Sequence, residues 1–262
     1  MSGQPSKWQR GIRWSIIAGV IALLLWSTRF QGSRLIEITG STMGTTYTIK
    51  LITDTQTFST TERAMLESQI DDCLDQVNRR MSTYLPDSEL SQLNKHADTT
   101  PFRLSEDTFH VFRRAMQVSE ESGGVFDITV GPIVNAYGFG PDPERADLPS
   151  EEELKALKER VGYRYLELDT DNRTVRKLRP DLYCDLSAIA KGYGVDQVAE
   201  LLNEWKIRHY MVEIGGEIKV RGRNADGRPW RIGIEKPVSD DRAIERMINV
   251  FDRAVATSGD YR

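Results

Sequence analysis

Apolar and polar positions alternate along this chain with two different periods, and the change from one to the other marks out its elements. In STTERAMLESQIDDCLDQVNRRMS, the residues Leu66, Ile70, Cys73, Leu74, Val77 and Met81 recur every three to four positions. That spacing puts them on one face of an α-helix. Ser59 and Glu62 form a capping box at its start. Pro86 lies beyond its end, and Ser88 opens a short second helix. SEDTFHVFRRAMQVSEESGG predicts a helix capped by Ser105 and stopped at Gly123. SEEELKALKERVG predicts another, between a capping box of Ser150 and Glu153 and a stop at Gly162. Val195, Val198, Ala199 and Leu202 mark a later helix, with Ser187 as its N-cap.

The other period is two. Ile36 and Ile38 alternate with polar residues, residues 47–52 read as a second strand, and GSTMG separates the two as a turn. YRYLELD and TVRKL predict a hairpin around Asp171 and Asn172. The run ITV after Asp127 and the run LYCDL around Cys184 read as buried strands. HYMVEIGGEIKVRGRNADGRPWRIGIEKP reads as strand, turn and strand, with NADG as the turn. Gly215 and Gly216 then mark a bulge or a close backbone approach within the first strand. Residues 250–257 read as one more strand. Helices and strands alternate irregularly, so the fold class is α+β.

Composition narrows the function. The 262 residues suffice for one large domain, and 39% hydrophobic with 28% charged is ordinary for a globular chain. A net charge of −4 without a basic stripe argues against a nucleic-acid binder. The two cysteines, Cys73 and Cys184, fall on apolar positions and read as core residues. The three histidines are scattered, and no CxxC or HExxH occurs, which argues against a histidine- or cysteine-based metal site. The N-terminus stands apart. Lys7, Arg10 and Arg13 precede an apolar run over residues 14–26, bracketed by Trp14 and Trp26. No A-x-A cleavage site and no lipid-accepting cysteine follow. The expectation is an uncleaved signal anchor over residues 1–30 with the N-terminus inside, a cleaved signal being the alternative. Residues 31–262 then form the globular domain.

Chemistry concentrates at glycine. In CDLSAIAKGYGVDQ, Asp185 ends an apolar run and Lys191 lies in the first turns of a helix. The macrodipole disfavours a cation there unless an anion shares the site. Free N–H groups at a helix start plus a lysine would make a phosphate site. GSTMGTTY can present backbone N–H groups to a ligand, and Asp127 in GGVFDITVGP is a carboxylate in an apolar setting that needs a partner. Four glycine clusters beside polar residues favour a cavity lined by backbone.

TMGTTY, MSTYLPDSELSQLN, GGVFDITVGP, CDLSAIAKGYGVDQ, VEIGGEIKVRG and ATSGDYR occur in this order, and together they resemble the ApbE family of FAD:protein FMN transferases. The resemblance spans residues 38–262, and six separated motifs carry it. It implies an ApbE-like (T-fold-related) domain of an often exported, membrane-tethered family. With the N-terminal run read as a transmembrane anchor in place of a lipid, the chain would be single-pass in the cytoplasmic membrane with its catalytic part facing the periplasm. It implies magnesium-dependent transfer of FMN from FAD to a threonine of a target flavoprotein, with release of AMP. An FAD-binding delivery protein and a Mg2+-dependent FAD pyrophosphatase are the alternatives. Met43, Tyr84, Val125, Phe126, Asp127, Asp185, Lys191, Ser258 and Gly259 would contact FAD, with Asp185 and Lys191 at the chemistry. The backbone carbonyl of Ala188 would ligate Mg2+. Tyr84 and Phe126 would pack on the FAD rings. Acceptors would resemble subunits of the sodium-pumping NADH:quinone oxidoreductase or of Rnf-type complexes. The family domain runs on past ATSGDYR with a motif that completes the magnesium site, so the resemblance also implies a shortened domain with a weakened metal site.

Overall fold

A computed structural model describes residues 33–54, 58–141, 147–236 and 244–258. The chain begins with β1 (Ser33–Thr42), β2 (Thr45–Asp54), α1 (Thr60–Met81), α2 (Glu89–Lys95), β3 (Phe102–Arg103), α3 (Glu106–Glu121), α4 (Gly131–Ala136) and α5 (Glu151–Lys158). It continues through β4 (Leu166–Asp169), β5 (Thr174–Lys177), α6 (Ser187–Glu204), β6 (Tyr210–Ile214), β7 (Glu217–Arg221), β8 (Trp230–Glu235), β9 (Ile244–Val250) and β10 (Ala254–Val255).

Period-two alternation in the first strands builds the main sheet, whose order is β1-β2-β6-β7-β10, antiparallel throughout. Thr42 pairs with Thr45, so Met43 and Gly44 alone close the first hairpin. Both have left-handed φ, 49° and 72°, as a hairpin turn matched to strand twist requires. One face of the sheet buries Ile38, Ile49, Leu51 and Val212 against Leu66, Ile70 and Leu74 of α1 and Val195, Val198 and Leu202 of α6. The other face packs Ile52 and Val220 against Trp230, Ile232 and Val250 of the β8–β9 ribbon. A second core holds the far end of α1 (Val77, Met81), α2, α3 and the small sheet β3-β5-β4. α1 is therefore shared between two cores. Met43 packs against both.

The expected helices form where local signals start them. Ser59 Oγ accepts from the Glu62 N–H and Glu62 Oε2 accepts from the Ser59 N–H, the capping box read from sequence. Ser88, Ser105 and Ser150 cap α2, α3 and α5. Cys73 and Cys184 are free thiols, Cys73 half-buried beside the first core and Cys184 fully buried.

Several expectations are corrected. Gly215 and Gly216 are not a bulge. With φ of 54° and 96° they are the two-residue turn of the β6–β7 hairpin, Ile214 pairing with Glu217. NADG instead carries the chain from β7 to the separate ribbon, with Asn224 Oδ1 accepting from the N–H groups of Asp226 and Arg228. ITV is no strand, because Asp127 Oδ1 accepts the Thr129 N–H and bends the chain into α4. LYCDL is buried but joins no sheet; the side chain of Asn94 takes both backbone groups of Cys184. Leu186, not Ser187, is the N-cap residue of α6. The last expected strand is two, β9 ending at Val250 and β10 covering two residues. The anchor expected over residues 1–30 lies outside the described residues. Among the described residues, no helix is long and apolar enough to cross a membrane.

Candidate functional site

Three chain reversals and one helix start converge on a cavity of about 560 Å³, lined among others by Met43, Tyr84, Phe139, Ser187, Ala190 and Lys191. The β1–β2 turn contributes Met43, in the left-handed region that a non-glycine residue enters only at a cost. α6 passes close behind it. A Cβ on Gly194 would lie 2.9 Å from Met43 Cε, so the methionine side chain lies directly on this helix position.

Asp185 prepares the start of α6. Its N–H donates to the Ile128 carbonyl at 2.7 Å, and its Oδ1 accepts the Ser187 N–H at 2.8 Å. The positive end of the helix favours this buried carboxylate. Among the described residues no donor reaches its Oδ2. The N–H groups of Ile189 and Ala190 turn back to the Leu186 carbonyl. Three of the N–H groups at this helix start are thus already engaged, and the cation of its first turns is Lys191.

Lys191 is not a solvated lysine. Its Nζ donates to the Gly215 carbonyl at 3.2 Å and lies 3.1 Å from Glu217 Oε2. The β6–β7 turn that receives it is pinned on three sides. Gly215 N–H donates to the Thr46 carbonyl at 3.1 Å, Gly216 N–H to Glu213 Oε1 at 2.8 Å, and Thr257 Oγ1 to the Gly216 carbonyl at 3.1 Å. A Cβ on Gly215 would lie 2.8 Å from Thr45 Cγ2 and one on Gly216 2.7 Å from Thr257 Oγ1. Positive φ and close neighbours together make this a glycine-only turn.

The remaining expected residues take two places. Ala188 is exposed in the first turn of α6, and Ser258 is exposed next to Thr257; Gly259 lies outside the described residues. Residues 125–127 do not line the cavity. Val125 is 91% exposed, and Phe126 packs against the second core. Both oxygens of Asp127 are engaged internally, Oδ1 with the N–H and hydroxyl of Thr129 and Oδ2 with the Tyr163 N–H. This loop nevertheless adjoins Asp185, through the Ile128 carbonyl.

Sequence reasoning missed Phe139, Glu217 and Asn94. Phe139 is 73% exposed and Tyr84 59%, and the Tyr84 hydroxyl donates to the Phe139 carbonyl at 2.9 Å. The local signal was an aromatic between glycines in YGFG. Glu217 and Asn94 carried no local signal, because their partners are distant in the chain.

This antiparallel α+β scaffold is the fold of flavin transferases. The chain superposes on the flavin transferase ApbE from Vibrio cholerae with a TM-score of 0.80 at 45% identity, covering 88% of this chain and 73% of that one. The ApbE protein from Thermotoga maritima gives 0.76 at 26% identity, covering 87% and 71%. In sequence the chain is 44% identical over 246 residues to the FAD:protein FMN transferase of Vibrio cholerae, covering 94% of this chain and 72% of the relative. It is 42% identical over 251 residues to that of Haemophilus influenzae, with the same coverage. The ApbE family matches over residues 43–262. The chain belongs to the ApbE family.

Proposed function

We propose that the protein is an FAD:protein FMN transferase. It moves FMN from FAD to a threonine of a target flavoprotein, joined through the FMN phosphate, and releases AMP. One observation carries the reading: Lys191 and Ser187 of α6 line a cavity large enough for a nucleotide, and Asp185 holds the Ser187 N–H at that helix start. Transfer of this kind rests on positioning and charge neutralisation rather than on covalent chemistry by the protein. The Lys191 ammonium would face the pyrophosphate, and its acceptors on the β6–β7 turn keep it from wandering. The Asp127–Ile128 loop holds Asp185 in place through the backbone.

Magnesium fits these donors. Among the described residues no group of three or more His, Cys, Asp or Glu side chains could hold a metal. Magnesium, however, needs only one or two protein oxygens when substrate phosphates complete its shell. Asp185, with Oδ2 unengaged, and the carbonyl of Ala188 would hold it. When bound it would neutralise charge on the pyrophosphate oxygens. Chelation is expected to stop transfer and added magnesium to restore it, read as AMP release. Undiminished AMP release in excess chelator would remove the metal from the account.

Tyr84 and Phe139 offer flat faces to the FAD rings, Phe139 taking the place expected of Phe126. Phe139→Ala is expected to weaken FAD binding about tenfold, the scale of one lost stacking contact. A flavin-fluorescence titration checks this, and an unchanged affinity would move the ring elsewhere. The basic residues and apolar run of residues 1–30 support a membrane tether with the enzyme on the periplasmic side. Protease accessibility in intact spheroplasts tests that placement.

A further inference from the structure

Glu217 is the first residue of β7, directly after the pinned turn and opposite Ile214 in the ladder. Its Oε2 is shut off from solvent, and no donor among the described residues reaches it with hydrogen-bond geometry. The cation beside it is the Lys191 ammonium at 3.1 Å. A carboxylate oxygen so placed is costly unless a charge compensates it. Glu217 and Lys191 therefore depend on each other.

We propose that Glu217 is the positioning residue that aims Lys191. The proposal rests on the reading that Lys191 meets the FAD pyrophosphate. A lysine stem is flexible, and an ammonium carries three donors. The Gly215 carbonyl takes one and Glu217 Oε2 attracts a second. Both acceptors sit on or next to one turn held by Thr46, Glu213 and Thr257. The third donor is left for a substrate oxygen in the cavity that Lys191 lines. Glu217 thus need not touch substrate. Removing its charge frees the ammonium without removing it, so affinity for an anionic ligand is kept while orientation is lost.

The test uses Glu217→Gln, Lys191→Ala and the double variant, with two readouts. In FMN transfer to an acceptor protein, Glu217→Gln is expected to lower kcat about tenfold or more while the Kd for FAD stays within about twofold. Lys191→Ala is expected to weaken FAD binding as well. In thermal unfolding without ligand, Lys191→Ala is expected to lower the midpoint, and adding Glu217→Gln to it is expected to regain part of the loss. A Glu217→Gln variant with unchanged kcat, or with FAD affinity lost as in Lys191→Ala, would overturn the positioning role. So would strictly additive midpoint shifts. If the unaltered protein neither binds FAD nor transfers FMN, the functional reading fails and the aiming role fails with it. The midpoint cycle still decides separately whether the two side chains are coupled.

Discussion

Replacing Lys191 with alanine is expected to lower kcat/KM for FMN transfer by about 10²–10³-fold, the scale of losing one preorganised electrostatic contact to the reacting group. The ammonium is already held by the Gly215 carbonyl and by Glu217 before any ligand arrives. Little reorganisation is then needed when charge develops on the departing phosphate. Three of the amides at the start of α6, those of Ser187, Ile189 and Ala190, are already taken by Asp185 and the Leu186 carbonyl, so they offer little to replace the ammonium. Arginine is not expected to rescue the variant, because its planar fork does not match a receptor built for a compact ammonium. Steady-state transfer assays, with circular dichroism confirming the fold, check the expectation. Activity within about twofold of the unaltered protein would place the phosphate site elsewhere.

The second large effect lies outside the cavity. Asn94→Ala is expected to destabilise the fold by about 2–5 kcal/mol, as two buried backbone groups lose their partner at about 1–3 kcal/mol each. The Asn94 amide donates to the Cys184 carbonyl at 2.8 Å, and its Oδ1 accepts the Cys184 N–H at 2.7 Å. Cys184 is fully buried in a segment that belongs to no sheet, so one side chain does the work of a neighbouring strand. Below it, the ammonium of buried Lys177 donates to the carbonyls of Asn94, Pro180 and Leu182. Desolvation pulls the Lys177 pKa down from its ordinary value, yet these acceptors explain its place. The next residue after Cys184 is Asp185, so the damage should reach the site. Urea unfolding is expected to show a lower midpoint, and surviving folded protein a weaker affinity for FAD. An unchanged midpoint would mean that the segment is held by its apolar contacts alone.

These two residues show what sequence could and could not convey. The helices were legible because their signals are local: Ser59 and Glu62 sit three residues apart, and the apolar stripe of α1 needs no knowledge of its partners. The Gly215–Gly216 turn was misread because a bulge and a tight turn look alike until strand pairing is known. NADG, the louder local signal, drew the turn to itself. Met43, Tyr84 and Lys191, which lie in separate motifs, line one cavity. Asp127 shows the opposite case. Its carboxylate closes a loop with Thr129 and Tyr163, a long-range bond to Tyr163 that no motif reveals. Asn94, Glu217 and Phe139 act through contacts far along the chain, which only the folded topology creates.

The most direct test is whether FMN ends up on protein. The protein would be incubated with FAD, magnesium and an acceptor flavoprotein segment carrying a threonine, and the acceptor examined by mass spectrometry alongside the released nucleotide. The account predicts FMN joined to the threonine through its phosphate, with an equal amount of AMP. An unmodified acceptor with FAD bound intact, or with FMN and AMP both free in solution, would contradict it.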